Sequence, residues 1–221
     1  MKKFQVLLLQ LVIAVIPVVS LLFRWNKLPE TLPMHWDLNN EVDRFGSKYE
    51  LLIFSIVITV ISLGVSLLML NIDKLDPKRS FSPTSILPKK FSWTMVIFIT
   101  LLNVGIIQES IGYQSGEPGI LGGKFIGIAL TLLFAVTGNF MNNLKPNYFI
   151  GIRTPWNLEN AENWRLTHHL ASKLWFYGGL AGLLAVVVLP SSFSVIIILI
   201  VAIPLALIPF WYSYRVFSKG H

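Results

Sequence analysis

The chain has 221 residues, of which 54% are apolar and only 13% are charged, and its mean hydropathy is +0.65. A soluble domain carries about a quarter charged residues, so this composition excludes an ordinary soluble protein. Cysteine is absent from the sequence, which excludes disulfides, iron–sulfur clusters and thiolate zinc sites. The net charge of +7 would suggest a nucleic-acid partner for a soluble protein, but in a membrane protein it is typical of basic cytoplasmic loops.

Long apolar windows predict about six transmembrane helices, because each crossing needs roughly 20 apolar residues. The windows are Phe4–Phe23, Leu51–Leu70, Trp93–Ile111, Ile120–Met141, Leu174–Leu189 and Phe193–Trp211. The first window resembles a signal peptide, but its apolar run is too long and no small-residue cleavage site follows it. We therefore predict an uncleaved first helix, kinked at Pro17, in an all-α polytopic membrane protein with a single membrane domain over residues 1–221.

The uneven distribution of Lys and Arg over the loops predicts the orientation of the chain. With a cytoplasmic amino terminus, thirteen basic residues lie inside and five lie outside, which agrees with the preference of basic residues for cytoplasmic loops. Both termini are therefore expected in the cytoplasm, and residues 24–50 are expected to form an extracytoplasmic loop.

A few polar side chains fall within or beside the predicted spans. Glu109, near the end of the third span, and Lys124, near the start of the fourth, are placed to meet across a short hairpin as an intramembrane pair. Both lie near helix ends, which favours a structural role over a functional one. Asn103 lies deeper and predicts a hydrogen bond between helices. Glycines at four-residue spacing predict close helix packing in the fourth and fifth spans, at Gly119, Gly123, Gly127, Gly178 and Gly182.

The loop after the first span is rich in turn-forming residues. Pro29 and Pro33 indicate an extended, turn-rich segment, and Ser47 followed by Glu50 predicts a capping box at the start of the second span. Possible metal ligands in this loop are His35, Asp37, Glu41 and Asp43. Their spacing matches no standard metal motif, so we predict no metal site.

The loop after the fourth span leads into a helix with one distinctive face. Asn157 or Asn160 is expected to cap this helix. At helical spacing, one face carries Trp164, His168, Ala171 and Trp175. We predict a cytoplasmic interfacial helix before the fifth span. The segment Gly151–Trp156 is then either an interfacial anchor, which its Arg and Trp favour, or a docking surface for a cytoplasmic partner.

Candidate catalytic groups are scarce in the sequence. His168 and His169 are suitable for proton transfer, but no nucleophile or paired acid lies beside them. The sequence also has no Gly-x-Ser-x-Gly, no His-Glu-x-x-His and no phosphate-binding glycine loop. We therefore predict a protein without catalytic residues or cofactors, and we rank a membrane enzyme that uses His168 or His35 last.

The segment Asn147–Trp175 closely resembles the signature of the SdpI family, which comprises immunity proteins against a sporulation-delaying toxin. The matching positions are Gly151, Arg153, Thr154, Pro155, Trp156, Trp164, His168 and Lys173. His169 departs from the pattern, because relatives often have Arg there. The first loop resembles the domain of unknown function that often precedes this signature, at Pro29, Pro33, His35, Asp43 and Lys48. Residues 138–211 are thus expected to form an SdpI-like region.

The resemblance implies a multi-pass protein of the bacterial plasma membrane that protects the cell from a secreted peptide toxin. It also implies a receptor that holds a small winged-helix autorepressor at the membrane, without itself contacting nucleic acid. The signature residues are then candidates for binding the cytoplasmic partner, and the first loop is a candidate for sensing outside. The alternative function is a transporter or exclusion protein for a small molecule or peptide, suggested by Glu109, Lys124 and Asn103.

Overall fold

The computed structural model describes residues 3–37, 41–114 and 124–219, most of which are helical. The α-helices are α1 (Lys3–Ala14), α2 (Ile16–Phe23), α3 (Lys48–Leu70), α4 (Ile72–Leu75), α5 (Ile86–Gln114), α6 (Phe125–Met141), α7 (Pro155–Glu159), α8 (Ala161–Val188) and α9 (Ser194–Ser218). The strands are β1 (Thr31–Trp36) and β2 (Val42–Ser47), and single 3₁₀ turns lie at Trp25–Lys27 and Ser191–Phe193.

Within the described ranges, five helical segments are long and apolar enough to cross a membrane. They are Lys3–Phe23, Lys48–Leu70, Ile86–Tyr113, Ala161–Val188 and Ser191–Ser218. The helix α6 is also apolar but has 17 residues, and the predicted start of this span at residues 120–123 lies outside the described part of the chain. The prediction of a polytopic helical membrane protein is confirmed.

The first span is divided into α1 and α2 at Val15, two residues before Pro17. Proline has no N–H to donate within a helix and its ring clashes with the preceding turn, so a break at this place is its normal effect. The kink predicted from Pro17 therefore corresponds to a real interruption of the helix.

The first loop contains a small antiparallel sheet, which the all-α prediction missed. The strands β1 and β2 pair with Thr31 opposite Ser47 and Trp36 opposite Val42. The register is irregular between Pro33 and His35. Because proline cannot donate a hydrogen bond to the neighbouring strand, it is found mainly at such irregular or edge positions. The two prolines favoured the prediction of an irregular loop, although one of them lies inside a strand.

The helix expected before the fifth span is continuous with that span. Residues 161–173 form the first turns of α8, which continues without interruption to Val188. The face that carries Trp164 and His168 is buried, and it packs against the preceding loop of the protein. An interfacial position was predicted for this face because an intramolecular loop and a bilayer surface select the same apolar pattern.

Residue contacts divide the chain into two compact units. The first unit comprises Met1–Leu67, Met95–Ala129 and Val186–Val195, and the second comprises Leu68–Thr94, Leu130–Ala185 and Ile196–His221. In the first unit, a buried apolar cluster joins the hairpin of β1 and β2 to three helices through Leu21, Leu28, Leu32, Leu51 and Ile107. The hairpin is therefore part of the folded unit, because its Leu32 is fully buried.

A hydrogen bond joins two helices in the first unit, and close packing at glycines joins two helices in the second. In the first unit, Asn103 donates from Nδ2 to the carbonyl of Ser55 at 3.0 Å, which confirms the predicted bond between helices. In the second unit, a Cβ on Gly178 would lie 3.0 Å from Leu205, and one on Gly182 would lie 2.8 Å from Val201. The close approach predicted for the fifth span is thus present, whereas Gly119 and Gly123 lie outside the described residues.

Candidate functional site

The SdpI-like signature forms a folded surface in the second unit, and we call residues 143–175 the signature block. It begins with a turn built around Asn147, whose side chain is fully buried. The Asn147 Nδ2 donates to the carbonyls of Lys145 and Ile150, while Oδ1 accepts from the N–H groups of Phe149 and Ile150. One amide side chain thus supplies hydrogen bonds that this short turn has no helix or strand to provide.

Gly151 and His168 lie against each other at the centre of the block. Gly151 has a φ of 107°, and a Cβ there would lie 2.4 Å from the His168 Nε2. The imidazole is 1% exposed and stacks on Trp164 with ring centroids 4.0 Å apart. Its Nε2 accepts from the Ile152 N–H at 3.0 Å, and its Nδ1 lies 2.8 Å from the Trp164 carbonyl. This arrangement requires a neutral ring with the proton on Nδ1.

Trp164, which stacks on His168, also binds the start of the signature block. Its indole Nε1 donates to the Leu144 carbonyl at 2.7 Å, and the side chain is 1% exposed. Asn160 caps α8, because its Oδ1 accepts from the N–H groups of Glu162 and Asn163 at 2.9 Å. The predicted cap is therefore Asn160, and the loop before α8 is fixed to the helix by its own hydrogen bonds.

Buried amides and hydroxyls connect α7 to α8 and α9. The Thr154 side chain caps α7 by accepting from the Asn157 N–H at 3.3 Å. The Thr167 hydroxyl lies 3.2 Å from the Asn157 Oδ1 and 3.1 Å from the Asn163 Oδ1. Asn163 in turn donates to the Ser213 carbonyl at 3.0 Å. This network binds the signature block to the last helix without any charged group.

Trp156 anchors the block to the aromatic end of α9. Its Nε1 donates to the Ser213 hydroxyl at 2.9 Å. Its ring contacts three aromatic side chains of that helix, namely Phe210, Tyr214 and Phe217, at centroid distances of 6.0, 5.5 and 5.9 Å. The residue types of this segment are compatible with either an interfacial anchor or a docking surface. The structure shows Trp156 as an anchor within the protein.

Three of the eight signature residues remain exposed, namely Arg153, Pro155 and Lys173. The Arg153 guanidinium donates to the Tyr148 carbonyl at 2.6 Å, so the cation is held in one place although it faces solvent. The other five, Gly151, Thr154, Trp156, Trp164 and His168, contribute mainly to packing and hydrogen bonding. A partner that contacts the signature would therefore meet the exposed three, and their role in binding stays a prediction.

Asp76 is a key residue of this site that sequence reasoning missed. It is 2% exposed, and its carboxylate accepts the N–H groups of Lys78 at 3.4 Å, Ser80 at 3.2 Å and Tyr148 at 3.2 Å. The Lys78 ammonium donates to the Leu158 carbonyl, and the Ser80 hydroxyl donates to the Pro146 carbonyl. The loop from 71 to 85 is thereby fastened to the signature block, and no sequence motif indicated this contact.

The candidate residues of the first loop lie in the β1–β2 hairpin or directly beside it. His35 and Asp43 face each other across the strands, with Nδ1 and Oδ1 2.6 Å apart, and both are exposed. Lys48 pairs with Glu30 at 2.8 Å and lies 5.2 Å from the Trp25 ring centroid. Pro33 is buried and Pro29 is half-buried. In the described residues, no group of three or more His, Asp or Glu side chains is arranged to hold a metal ion.

Ser47 and the predicted intramembrane pair also have defined surroundings in the first unit. The Ser47 hydroxyl accepts from the Glu50 N–H at 3.2 Å, which confirms the predicted helix cap, whereas the Glu50 carboxylate pairs with Arg44 at 2.7 Å. The Lys124 ammonium donates to the Val187 carbonyl at 2.9 Å. Glu109 is partly buried. A pairing of Glu109 with Lys124 stays a prediction.

The fold and the signature block define a multi-pass helical membrane protein with a fixed loop surface built from the SdpI-like signature. The model of the family described as "SdpI/YfhL protein family" matches residues 143–213 of the chain. The model of a domain of unknown function (DUF1648) matches residues 12–59. The chain is 27% identical to "Immunity protein SdpI" of Bacillus subtilis (strain 168) over 201 residues, which cover 91% of this chain and 90% of that protein. No solved structure matches the chain. The resemblance to the SdpI family is thus confirmed.

Proposed function

We propose that this chain is a membrane immunity protein that protects its cell from a secreted antimicrobial peptide toxin. The observation that carries the proposal is the similarity to an immunity protein along 91% of the chain. The hairpin supports it, because a folded loop attached to the first unit offers a fixed surface on the predicted extracytoplasmic side. Catalysis is not part of the proposal, since both ring nitrogens of His168 are engaged by backbone groups.

Immunity is tested by survival of a sensitive strain. The full-length protein is expressed in bacteria that lack their own immunity gene, and the cells are challenged with the cognate toxic peptide. We expect growth at peptide concentrations that kill cells carrying the empty vector. Equal killing of the two strains, with the protein shown to be present in the membrane, would contradict the proposal.

We further propose that the signature block binds a cytoplasmic partner, a small winged-helix autorepressor, while toxin is present. The exposed residues Arg153, Pro155 and Lys173 are the candidates for contact, because the rest of the signature is occupied by internal packing. Lys and Arg on a fixed surface attract an acidic patch and select its orientation.

This second proposal is tested by comparing exposed charge variants. Arg153→Gln and Lys173→Gln remove the two exposed cations of the signature, and Lys219→Gln removes an exposed cation from the end of α9 as a control. We expect the first two variants to abolish membrane recruitment of a fluorescent repressor while toxin resistance is retained. Unchanged recruitment in both variants would contradict a role of the signature block in partner binding.

The alternative function is a transporter or exclusion protein of the membrane for a small molecule or peptide. It would use Glu109 and Lys124, both of which lie in the first unit. A Glu109→Gln variant with full toxin resistance argues against it. Resistance that depends on Glu109, together with a lower cellular content of labelled peptide, would favour this function over immunity by binding.

A further inference from the structure

A cavity in the second unit is lined by cations and neutral hydrogen-bond donors. It has a volume of about 360 Å³. The lining includes Arg79, Ser80, Ser82, Ser85, Asn143 and Lys145. Guanidinium, ammonium, hydroxyl and amide groups are the side chains that bind phosphate oxygens. The cavity therefore has the donor set of an anion site, and it lies beside the contacts of the signature block.

The local charge balance favours an anion at this cavity. The segment from 71 to 90 contains five basic residues and two acidic ones. One of the acids is Asp76, which lies beneath the loop and is already occupied by three backbone N–H groups. Its negative charge is therefore committed to holding the loop, and the side chains named above that line the cavity include no carboxylate.

The contacts of the loop hold the backbone at Arg79 in an uncommon conformation. Among the described residues, Arg79 is the non-glycine residue with a positive φ, which is 49°. A positive φ is uncommon for a non-glycine residue and occurs where surrounding contacts impose it. Here the imposing contacts are the Asp76 bonds to Lys78 and Ser80 and the Arg79 N–H donated to the Asp76 carbonyl at 2.9 Å.

The position of the cavity indicates where the anion comes from. The helix α3 ends at Leu70, α5 begins at Ile86 and α6 ends at Met141, so Arg79 lies in the loop 71–85 between two apolar helices and Lys145 shortly follows a third. Loops that join membrane spans are expected near the phospholipid headgroups. Basic pockets beside transmembrane helices on the cytoplasmic side bind anionic headgroups.

We propose that this cavity is a phosphate-binding site, with Arg79 and Lys145 as the principal ligands, that takes the phosphate of an anionic phospholipid headgroup. A bound headgroup would join the loop 71–85 to the Asn143–Lys145 end of the signature block. It would thus strengthen the connection between this loop and the signature block, to which the hydrogen bonds of Asp76 also contribute. The site is independent of toxin immunity, because it is defined by a ligand that the membrane itself supplies.

The test uses the purified full-length protein in a non-ionic detergent, titrated with short-chain phosphatidylglycerol or with inorganic phosphate. The readout is the midpoint of thermal unfolding followed by tryptophan fluorescence. The double variant Arg79→Asn with Lys145→Gln removes both ligands, and Asn is chosen because it tolerates a positive φ. The control Lys74→Gln with Lys89→Gln removes the same charge from the same region and leaves the lining residues intact.

We expect phosphatidylglycerol to raise the midpoint of the natural protein and of the control. The half-effective concentration should rise about fivefold for each lost ligand, hence about twenty-five-fold in the double variant. An equal effect of inorganic phosphate would identify a site for free phosphate, and an effect of the lipid alone would identify a headgroup site; both outcomes support a phosphate site.

Two outcomes would overturn the proposal. One is an equal loss of the lipid effect in the double variant and in the control, which would indicate diffuse attraction of charge. The other is the absence of any shift in the natural protein with either ligand. If the double variant does not fold, the single variant Lys145→Gln, which changes one exposed side chain, is measured against Lys74→Gln with the same criteria.

Discussion

Gly151 and His168 depend on each other for the shape of the signature block. The positive φ of Gly151 turns the chain under the imidazole, and the lack of a Cβ leaves room for Nε2 to accept the Ile152 N–H. The resemblance to a family pointed to both residues from the sequence, but it gave no reason for either. The physical reason is the hydrogen bond between Ile152 and His168, 16 positions apart, together with the contact of Gly151 with the same ring, and no local pattern contains either.

Replacing this glycine is therefore expected to be costly. Gly151→Ala should lower the free energy of unfolding by about 2–4 kcal/mol, because the φ is unfavourable for Ala and the methyl group displaces the imidazole. Thermal unfolding in detergent is the measurement. Gly64→Ala is the matched control, since nothing lies within 4 Å of a Cβ at this helical position. Equal midpoints for the two variants would contradict the packing role of Gly151.

Asp76 is the second single residue with a large expected effect. Asp76→Asn replaces one acceptor oxygen by an NH₂ group, which faces an N–H donor in either orientation of the amide. Leaving such a buried donor unsatisfied costs about 1–3 kcal/mol. We expect faster cleavage within residues 71–85 under limited proteolysis. Glu159→Gln, at an exposed position of α7, should leave the cleavage rate unchanged.

At the scale of elements, the hydropathy windows predicted the long helices well. Apolar length marks a span, so the window Leu51–Leu70 falls inside α3, and the window Phe193–Trp211 falls inside α9 except for its first residue. The hairpin was missed because Pro29, Pro33 and Gly46 interrupt the alternation that marks a strand. The start of α8 was predicted to lie on the membrane surface, because the sequence does not show which surface covers an apolar face.

The hairpin is expected to depend on the pair at its base. Lys48→Met removes the ion pair with Glu30 and the contact with the Trp25 ring. We expect a loss of about 1 kcal/mol in unfolding free energy, because the Lys48 side chain is only 11% exposed and is thus less screened than a surface cation. Thermal unfolding again measures the change, with the exposed Lys27→Met as control. A stability loss as large in the control would refute a specific role for this pair.

At the scale of the whole molecule, the orientation of the chain rests on the count of basic residues. The natural sequence has no cysteine, so single introduced cysteines are easily interpreted. We expect Lys27→Cys to react with a membrane-impermeant maleimide in intact cells, and Lys145→Cys to react only after permeabilisation. The opposite labelling pattern would invert the proposed topology, and with it the sides on which toxin and partner are met.

The signature block has a further property that follows from its buried asparagines. Asn147, Asn157 and Asn163 are fully buried and hold the turn, α7 and the contact with α9 by neutral hydrogen bonds. Dissolved salt screens charges but has little effect on such bonds. The shape of the block should therefore be indifferent to ionic strength, whereas any recognition through Arg153 and Lys173 should weaken as salt is added. A salt series on the intact protein thus distinguishes the stability of the signature block from its electrostatic attraction for a partner.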